Sequence, residues 1–349
     1  MAYSVHNIGA ITDVPALVGA FAAANGFDTD LSSPNVPKIR CPGDSNSAET
    51  DIYWQIQALI SGTNNQNHDC WWSEANGGSN SLADDDIARI TSPKLNTGAA
   101  TTANPSVSLP TRLHIFGTAV ATENPFIGVV IEYGFNSFRH LYLGKLEARG
   151  GVEGRDIIAC GGGRRSSTSS TVHWTDDSEN HFLFSGMSSL QGIGNHGGAH
   201  IVHANNTGTA WKRFEAPINT SSPFDEYTGE QIVGGFQDAF NDGWVMDGKA
   251  AFAGMNILVP VNLYCPVLIS GNTDTSFVPV GRPPGVRMVN MQDLEPGQQI
   301  TVGNETWRVF PHSTKSTVIN LAGGIGGVNW MQQESSYYLG YAYLEEDAP

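Results

Sequence analysis

LHIFGTAVATENPFIGVVIEYGFNSFRHLYLGKLEARGGVEGRDIIAC, running from Leu113 to Cys160, is the stretch that decides the fold. Its apolar runs are Leu113 to Phe116, Phe126 to Ile131, Phe138 to Tyr142, and Ile157-Ile158. Each is short and rich in β-branched or aromatic residues. Gly117, Gly134, Gly144 and the Gly150-Gly151 pair punctuate them. Runs of this length and composition, broken by turn residues, predict consecutive short strands joined by tight connections. The stretch supplies a core and, taken alone, no chemistry.

Outward from it, composition sets the class. The chain has 349 residues, with 40 glycines and only 15% charged residues. Its surface must therefore be built largely from Ser, Thr, Asn, Gln and Gly, which suits a loop-rich β protein or one buried in an assembly. The 34 acidic residues against 18 basic ones leave a formal charge of -16, which argues against nonspecific binding to nucleic acid or to an anionic membrane. Cys41, Cys70, Cys160 and Cys265 are widely spaced without a CxxC, so a cysteine zinc site is not expected and disulfides are not implied. Met1 to Ala10 has neither a basic region nor a long apolar run and does not read as a signal peptide. No apolar run approaches the roughly 18 residues of a membrane-spanning helix.

Upstream, Asp13 to Asn25 predicts a helix. Thr12 or Asp13 stands at its start, Pro15 in its first turn, Leu17, Val18, Phe21 and Ala24 on one stripe, and Gly26 at its stop. Ile52 to Leu59 is ambiguous by periodicity and favours a strand by composition. Residues 61–81 read as a polar loop, with Trp71 and Trp72 pinning it to the body. Residues 91–110, rich in Thr, Ala, Asn, Ser and Pro, read as a surface excursion or linker.

Downstream, His181 to Phe184, Trp211 to Phe214, Asn256 to Leu263 and Val267 to Ile269 are strand candidates. Pro260 and Pro266 point to an edge or a kink. Ile300 to Val302, Gly303-Asn304 and Thr306 to Phe310 predict a hairpin packed through Trp307, Val309, Ile300 and Val302. Tyr337 to Leu344 alternates as a last strand, with Glu345 to Pro349 fraying beyond it. The fold class is mainly β, with antiparallel sheets or a sandwich-like core, a short N-terminal helix and long loops. Three regions are expected: 1–110, 111–216 and 217–349, with one shared core as the alternative.

No constellation carries a reaction. His196, His200 and His203, in NHGGAHIVH, are the best metal candidates. Gly197-Gly198 opposes a helix, a strand would send His200 and His203 to opposite faces, and the glutamate of an HExxH site is missing. Loop or core contacts are the preferred reading. Asp84, Asp85 and Asp86 lack EF-hand spacing and read as caps or a solvated face. Arg164-Arg165, in GGGRRSSTSST, read as a solvated loop outside any phosphate-loop pattern. His173, Asp176, Asp177, Glu179 and His181 form a polar cluster in sequence, for which acidic turns beside a strand are the commoner explanation. GIGNHG, from Gly192 to Gly197, and the glycines at 323–327 have no βαβ context, and GxSxG is absent. No residue is assigned a catalytic, cofactor-binding or metal-binding role.

Two stretches resemble a family of tailed-bacteriophage virion proteins encoded with tail and baseplate components. One is the helix ending at Asn25-Gly26-Phe27, followed by Ile52-Tyr53; the family commonly has tryptophan where Phe27 stands. The other is Leu113 to Gly163, with its strand-turn-strand unit reaching Tyr142-Leu143-Gly144. The hairpin at Trp307-Arg308-Val309-Phe310-Pro311 is similar to phage structural sequences ending in a short strand. The resemblance covers about half the chain and carries no catalytic residue. It implies a non-enzymatic, oligomeric structural protein of the tail, tail tip or baseplate. Such a protein is made in a host cytoplasm, resides in the virion, and assembles cyclically with itself and other tail proteins. The alternatives are adsorption to a host-surface glycan, with Trp71-Trp72 as the stacking pair, a neck or head protein, and a glycan hydrolase using Asp176 and Glu179.

Overall fold

The run Phe126 to Tyr133 is apolar at nearly every position, so it must be covered on both faces, and its surroundings provide that cover. The structure is a computed structural model that describes residues 1–41, 52–61, 67–74, 88–90, 109–133, 137–148, 157–161, 200–204, 211–214, 233–234, 258–261, 263–268, 275–291, 293–311 and 339–347. In chain order the strands begin with β1 (Ala2–Asn7), β2 (Thr29–Asp30), β3 (Lys38–Cys41), β4 (Ile52–Ser61), β5 (Asn67–Glu74) and β6 (Ala88–Ile90). The central group is β7 (Pro110–Gly117), β8 (Phe126–Tyr133), β9 (Ser137–Lys145), β10 (Glu147–Ala148), β11 (Ile157–Gly161), β12 (His200–Ala204) and β13 (Trp211–Phe214). The remainder are β14 (Val233–Gly234), β15 (Val259–Pro260), β16 (Leu263–Leu268), β17 (Thr275–Arg282), β18 (Val286–Asn290), β19 (Gln299–Val302), β20 (Glu305–Pro311) and β21 (Leu339–Asp347). A helix, α1 (Val14–Ala24), follows β1 through a 3-10 turn at Ile11–Asp13.

The strands form four antiparallel sheets. A seven-stranded sheet runs β1-β7-β8-β9-β11-β12-β13. A five-stranded sheet runs β2-β3-β4-β5-β6, a second runs β15-β18-β21-β20-β19, and a four-stranded sheet runs β10-β17-β16-β14. The fold is thus mainly antiparallel β with a short N-terminal helix and long connections.

Alternation along the central strands builds two cores. On one face, Leu113, Ile115, Ile127, Val129, Ile131, Leu141 and Leu143 pack with Val14, Val18, Phe21 and Ala22 of α1 and with Ile39, Trp54, Ile56, Cys70 and Trp72 of the first five-stranded sheet. On the other, Phe116, Phe126, Val130, Phe138 and Tyr142 meet Val286, Met288, Phe310, Tyr341 and Tyr343 of the last sheet. That last sheet buries its far face too, through Val289, Trp307, Val309, Ala342 and Leu344. The central sheet is therefore the middle layer. Gly128 lets the Tyr343 ring lie directly on β8, since a Cβ there would stand 2.9 Å from the ring edge.

Several expectations hold. Pro15 sits in the first turn of α1, and Gly26 ends it at φ +82. Residues 52–61 are a strand, and Trp211–Phe214 is another. Pro260 lies on the edge strand β15, and Pro266 lies beyond the two-residue pairing of β14 with β16. The β19–β20 hairpin turns at Gly303-Asn304, with Ile300 opposite Trp307.

Others are corrected. Residues 67–74, read as part of a loop, are β5, paired along its whole length with β4; Cys70 and Trp72 alternate into the core there, an apolar parity hidden among polar neighbours. The helix stripe is Val14, Val18, Phe21 and Ala22, the i, i+4, i+7, i+8 face, and Ala24 is exposed. Asp13 stands at the N-cap of α1 without a side-chain capping bond; its Oδ2 accepts instead from the N–H groups of Gly9 and Ala10, each at 3.1 Å, and fixes the entry turn. Val302 is exposed at the hairpin end, so Trp307 and Val309 carry that packing. The chain does not fray at Glu345: β21 continues to Asp347, because Glu345 accepts from Arg308 Nε at 2.9 Å and from Gln299 Nε2 at 3.0 Å. Residues 91–108 and 181–184 lie outside the described residues.

Tyr142 stacks on Phe126 at 5.6 Å between ring centres and donates its hydroxyl to the Pro284 carbonyl at 3.0 Å, joining the middle layer to the last sheet. Tyr142→Phe keeps the ring and loses that bond. It should lower the unfolding free energy by about 1 kcal/mol, read as a shifted urea midpoint with an unchanged slope.

Candidate functional site

Polar side chains interrupt the apolar face between the middle layer and the last sheet at two places. The first is His140 on β9, which is fully buried. Its Nε2 lies 2.8 Å from the Pro311 carbonyl and its Nδ1 2.9 Å from the Tyr343 hydroxyl. A carbonyl only accepts, so Nε2 carries the proton and Nδ1 receives the tyrosine O–H. The ring also stacks on Tyr343 at 5.9 Å and meets Tyr341 edge-on at 5.2 Å. Both nitrogens are spent joining β9 to β20 and β21.

The second place is the seam beside β1. Antiparallel pairing sets Tyr3 opposite Phe116 and Val5 opposite His114. The Tyr3 hydroxyl stands 2.9 Å from His114 Nδ1, and His114 Nε2 is 3.7 Å from Glu132 Oε2. That distance allows charge attraction but exceeds a direct hydrogen bond, and Nε2 is buried with no hydrogen-bond partner. Arg112 stands 3.4 Å from the same Glu132 oxygen. Arg308 lies over the Tyr3 ring at 4.8 Å and is held by a bidentate pair with Glu345 at 2.9 and 3.0 Å. Phe310 closes the pocket against His114 at 4.7 Å.

The electrostatics follow from burial. Desolvation holds the His114 imidazole below its ordinary range, against the pull of Glu132 and aided by the charges of Arg112 and Arg308. Glu132 is held below the usual carboxylate range by the facing His114 ring and by Arg112. Burial raises the Tyr3 phenol, and Glu345 adds to that, with Arg308 opposing. A tyrosine, histidine and carboxylate in line have the parts of a proton relay. Here the phenol is pushed away from phenolate, and the polar atoms face one another. The arrangement holds strands.

Of the histidine and acidic sequence candidates, His200 and His203 fall among the described residues. His200 and His203 stand at opposite parity on β12, paired with Gly161 and Ile158 of β11; His196 lies outside the described residues. So do Asp84, Asp85, Asp86, Arg164, Arg165, His173, Asp176, Asp177, Glu179 and His181. Among the described residues, no cluster of three or more His, Cys, Asp or Glu is placed to hold a metal ion. Trp72, Cys41 and Cys70 are buried in the first core. Among the described residues, no helix is long and apolar enough to cross a membrane.

His114 and His140 were missed as sites. The available signal was a single polar residue at a core parity of an apolar strand. Tyr3 had no signal, because its partner is 111 residues away. No protein-family model and no curated relative matches the chain.

Proposed function

We propose that the chain is a non-enzymatic structural subunit of a tailed-bacteriophage virion, of the tail, tail tip or baseplate, acting as a cyclic oligomer. The observation that carries the structural half of this reading is how buried polar groups are used. His140, Tyr142 and the Arg308–Glu345 pair each join one strand or sheet to another, which gives a rigid body. The phage half rests on the resemblance at Asn25-Gly26-Phe27 and Tyr142-Leu143-Gly144. Sparse charge, at 15% of residues, supports assembly, because few ions need desolvation when broad loop surfaces are buried. An axial tail favours cyclic symmetry. In the adsorption alternative, Trp72 has no free face to offer a glycan, since its side chain is fully buried.

Native mass measurement should give a small-integer multiple of the 37.3 kDa chain. Quantitative mass spectrometry of purified particles should find it at a fixed copy number. A monomeric chain that is missing from the particles overturns the reading.

A further inference from the structure

The seam beside β1 combines an edge strand with a buried, half-partnered imidazole. Among the described residues, β1 pairs with β7 alone, from Ala2 opposite Gly117 to Asn7 opposite Arg112. The other elements around His114 are flanked on both sides: β7 by β1 and β8, β8 by β7 and β9, and β20 by β21 and β19. Tyr3 anchors β1 inward. Its ring stacks on Phe116 at 4.8 Å and lies under Arg308, while its hydroxyl meets His114. Val5, the direct partner of His114 on β1, is 49% exposed.

We propose that Tyr3, His114 and Glu132 form an acid-operated latch: protonation of His114 loosens β1 from the edge of the middle sheet. With the ring neutral, Nδ1 receives the Tyr3 O–H and the Nε2–H faces Glu132. Once protonated, both nitrogens donate, so the Tyr3 hydroxyl must turn to accept. The new cation then sits in a pocket closed by Phe116 and Phe310. From its own strand Arg112 opposes it, and from β20 Arg308 does, itself partly offset by Glu345 of β21. From β8 only Glu132 favours it, at 3.7 Å. From β1 it meets the phenol of Tyr3, which carries no charge. Desolvation outweighs the single carboxylate. Water reaches the ring at the lowest cost if β1 lifts, because that breaks one ladder and leaves the doubly flanked strands paired.

The sign follows from linkage. A histidine whose folded value lies below its ordinary 6.5 gives its full stabilisation above that pH and loses it as pH falls toward the folded value. The latch is closed at neutral pH and opens on acidification. This holds whether or not the chain is a virion subunit.

Hydrogen exchange, corrected for the intrinsic rate, tests it on the full chain. Between about pH 7.5 and about pH 5, protection of the amides of Ala2–Asn7 should fall about tenfold or more, while that of β8 stays constant. His114→Gln should abolish the step. His6→Gln should keep it, since His6 is the histidine of β1 itself and bonds only locally to Ser4 at 3.2 Å. Equal protection at the two pH values, the same step in His114→Gln, or its loss in His6→Gln would overturn the latch. If His114→Gln does not fold, NMR titration of the wild-type His114 ring replaces it. Strand opening and ring protonation must then share a midpoint, and separate midpoints overturn the proposal.

Discussion

Gly285→Ala should destabilise the protein by about 2–5 kcal/mol, from two effects that add. Gly285 sits at φ +65, just before β18, and its carbonyl accepts from the Leu344 N–H at 3.0 Å. A Cβ in that left-handed conformation costs about 1–2 kcal/mol. It would also be driven into the tip of the buried Phe126 ring, which is stacked on Tyr142. Overpacking at such a site costs about 1–3 kcal/mol more. Nor does the backbone escape by rotating, because the carbonyl would then lose β21. Gly303→Ala separates the terms: φ is +62 there and nothing stands within 4 Å of the added carbon, so only the conformational part should appear. Urea unfolding of both variants checks this. Equal losses would show that the Phe126 contact contributes nothing.

The sequence shows individual strands better than it shows their partners. Leu113 to Phe116, Phe126 to Ile131 and Phe138 to Tyr142 carry alternation or continuous apolar runs, which are local properties, and each is a strand. That β8 is apolar on both parities also says it lies between layers, but not which layers. The cover comes from α1 and Trp54 on one side and from Tyr341 and Tyr343, some 210 residues later, on the other. β5 was obscured because Asn67, His68, Asp69, Ser73 and Glu74 surround Cys70 and Trp72, so its inward parity stands among polar residues. β1 was obscured because AYSVHN has no fully buried position, and Ala2 and Tyr3 reach the two cores only in part. The seam at Tyr3, His114 and Glu132 exists only once β1 has docked on β7, and no local pattern encodes that pairing.

Tyr343→Ala should cost the most of any single substitution considered, about 3–5 kcal/mol for the emptied ring volume, with the lost hydrogen bond adding about 1–3 kcal/mol. The ring is fully buried and meets three different elements of the middle layer. It stacks on Phe116 of β7 at 4.9 Å, lies on the backbone of β8 at Gly128, and donates its hydroxyl to His140 of β9 at 2.9 Å. Collapse into the void is hindered because its neighbours are themselves fixed. Phe116 is held by Tyr3 and Phe310, and His140 by the Pro311 carbonyl. The residual cavity should stay large, which is the condition for the upper end of the range. Tyr343→Phe retains all the stacking and removes only the donor to a buried nitrogen, for about 1–3 kcal/mol. The difference between the two variants, read from urea midpoints at constant slope, is the contribution of the ring itself. If alanine costs no more than phenylalanine, Tyr343 does not join the layers, and the rigidity assigned to this interface must come from Tyr142 and Phe310 instead.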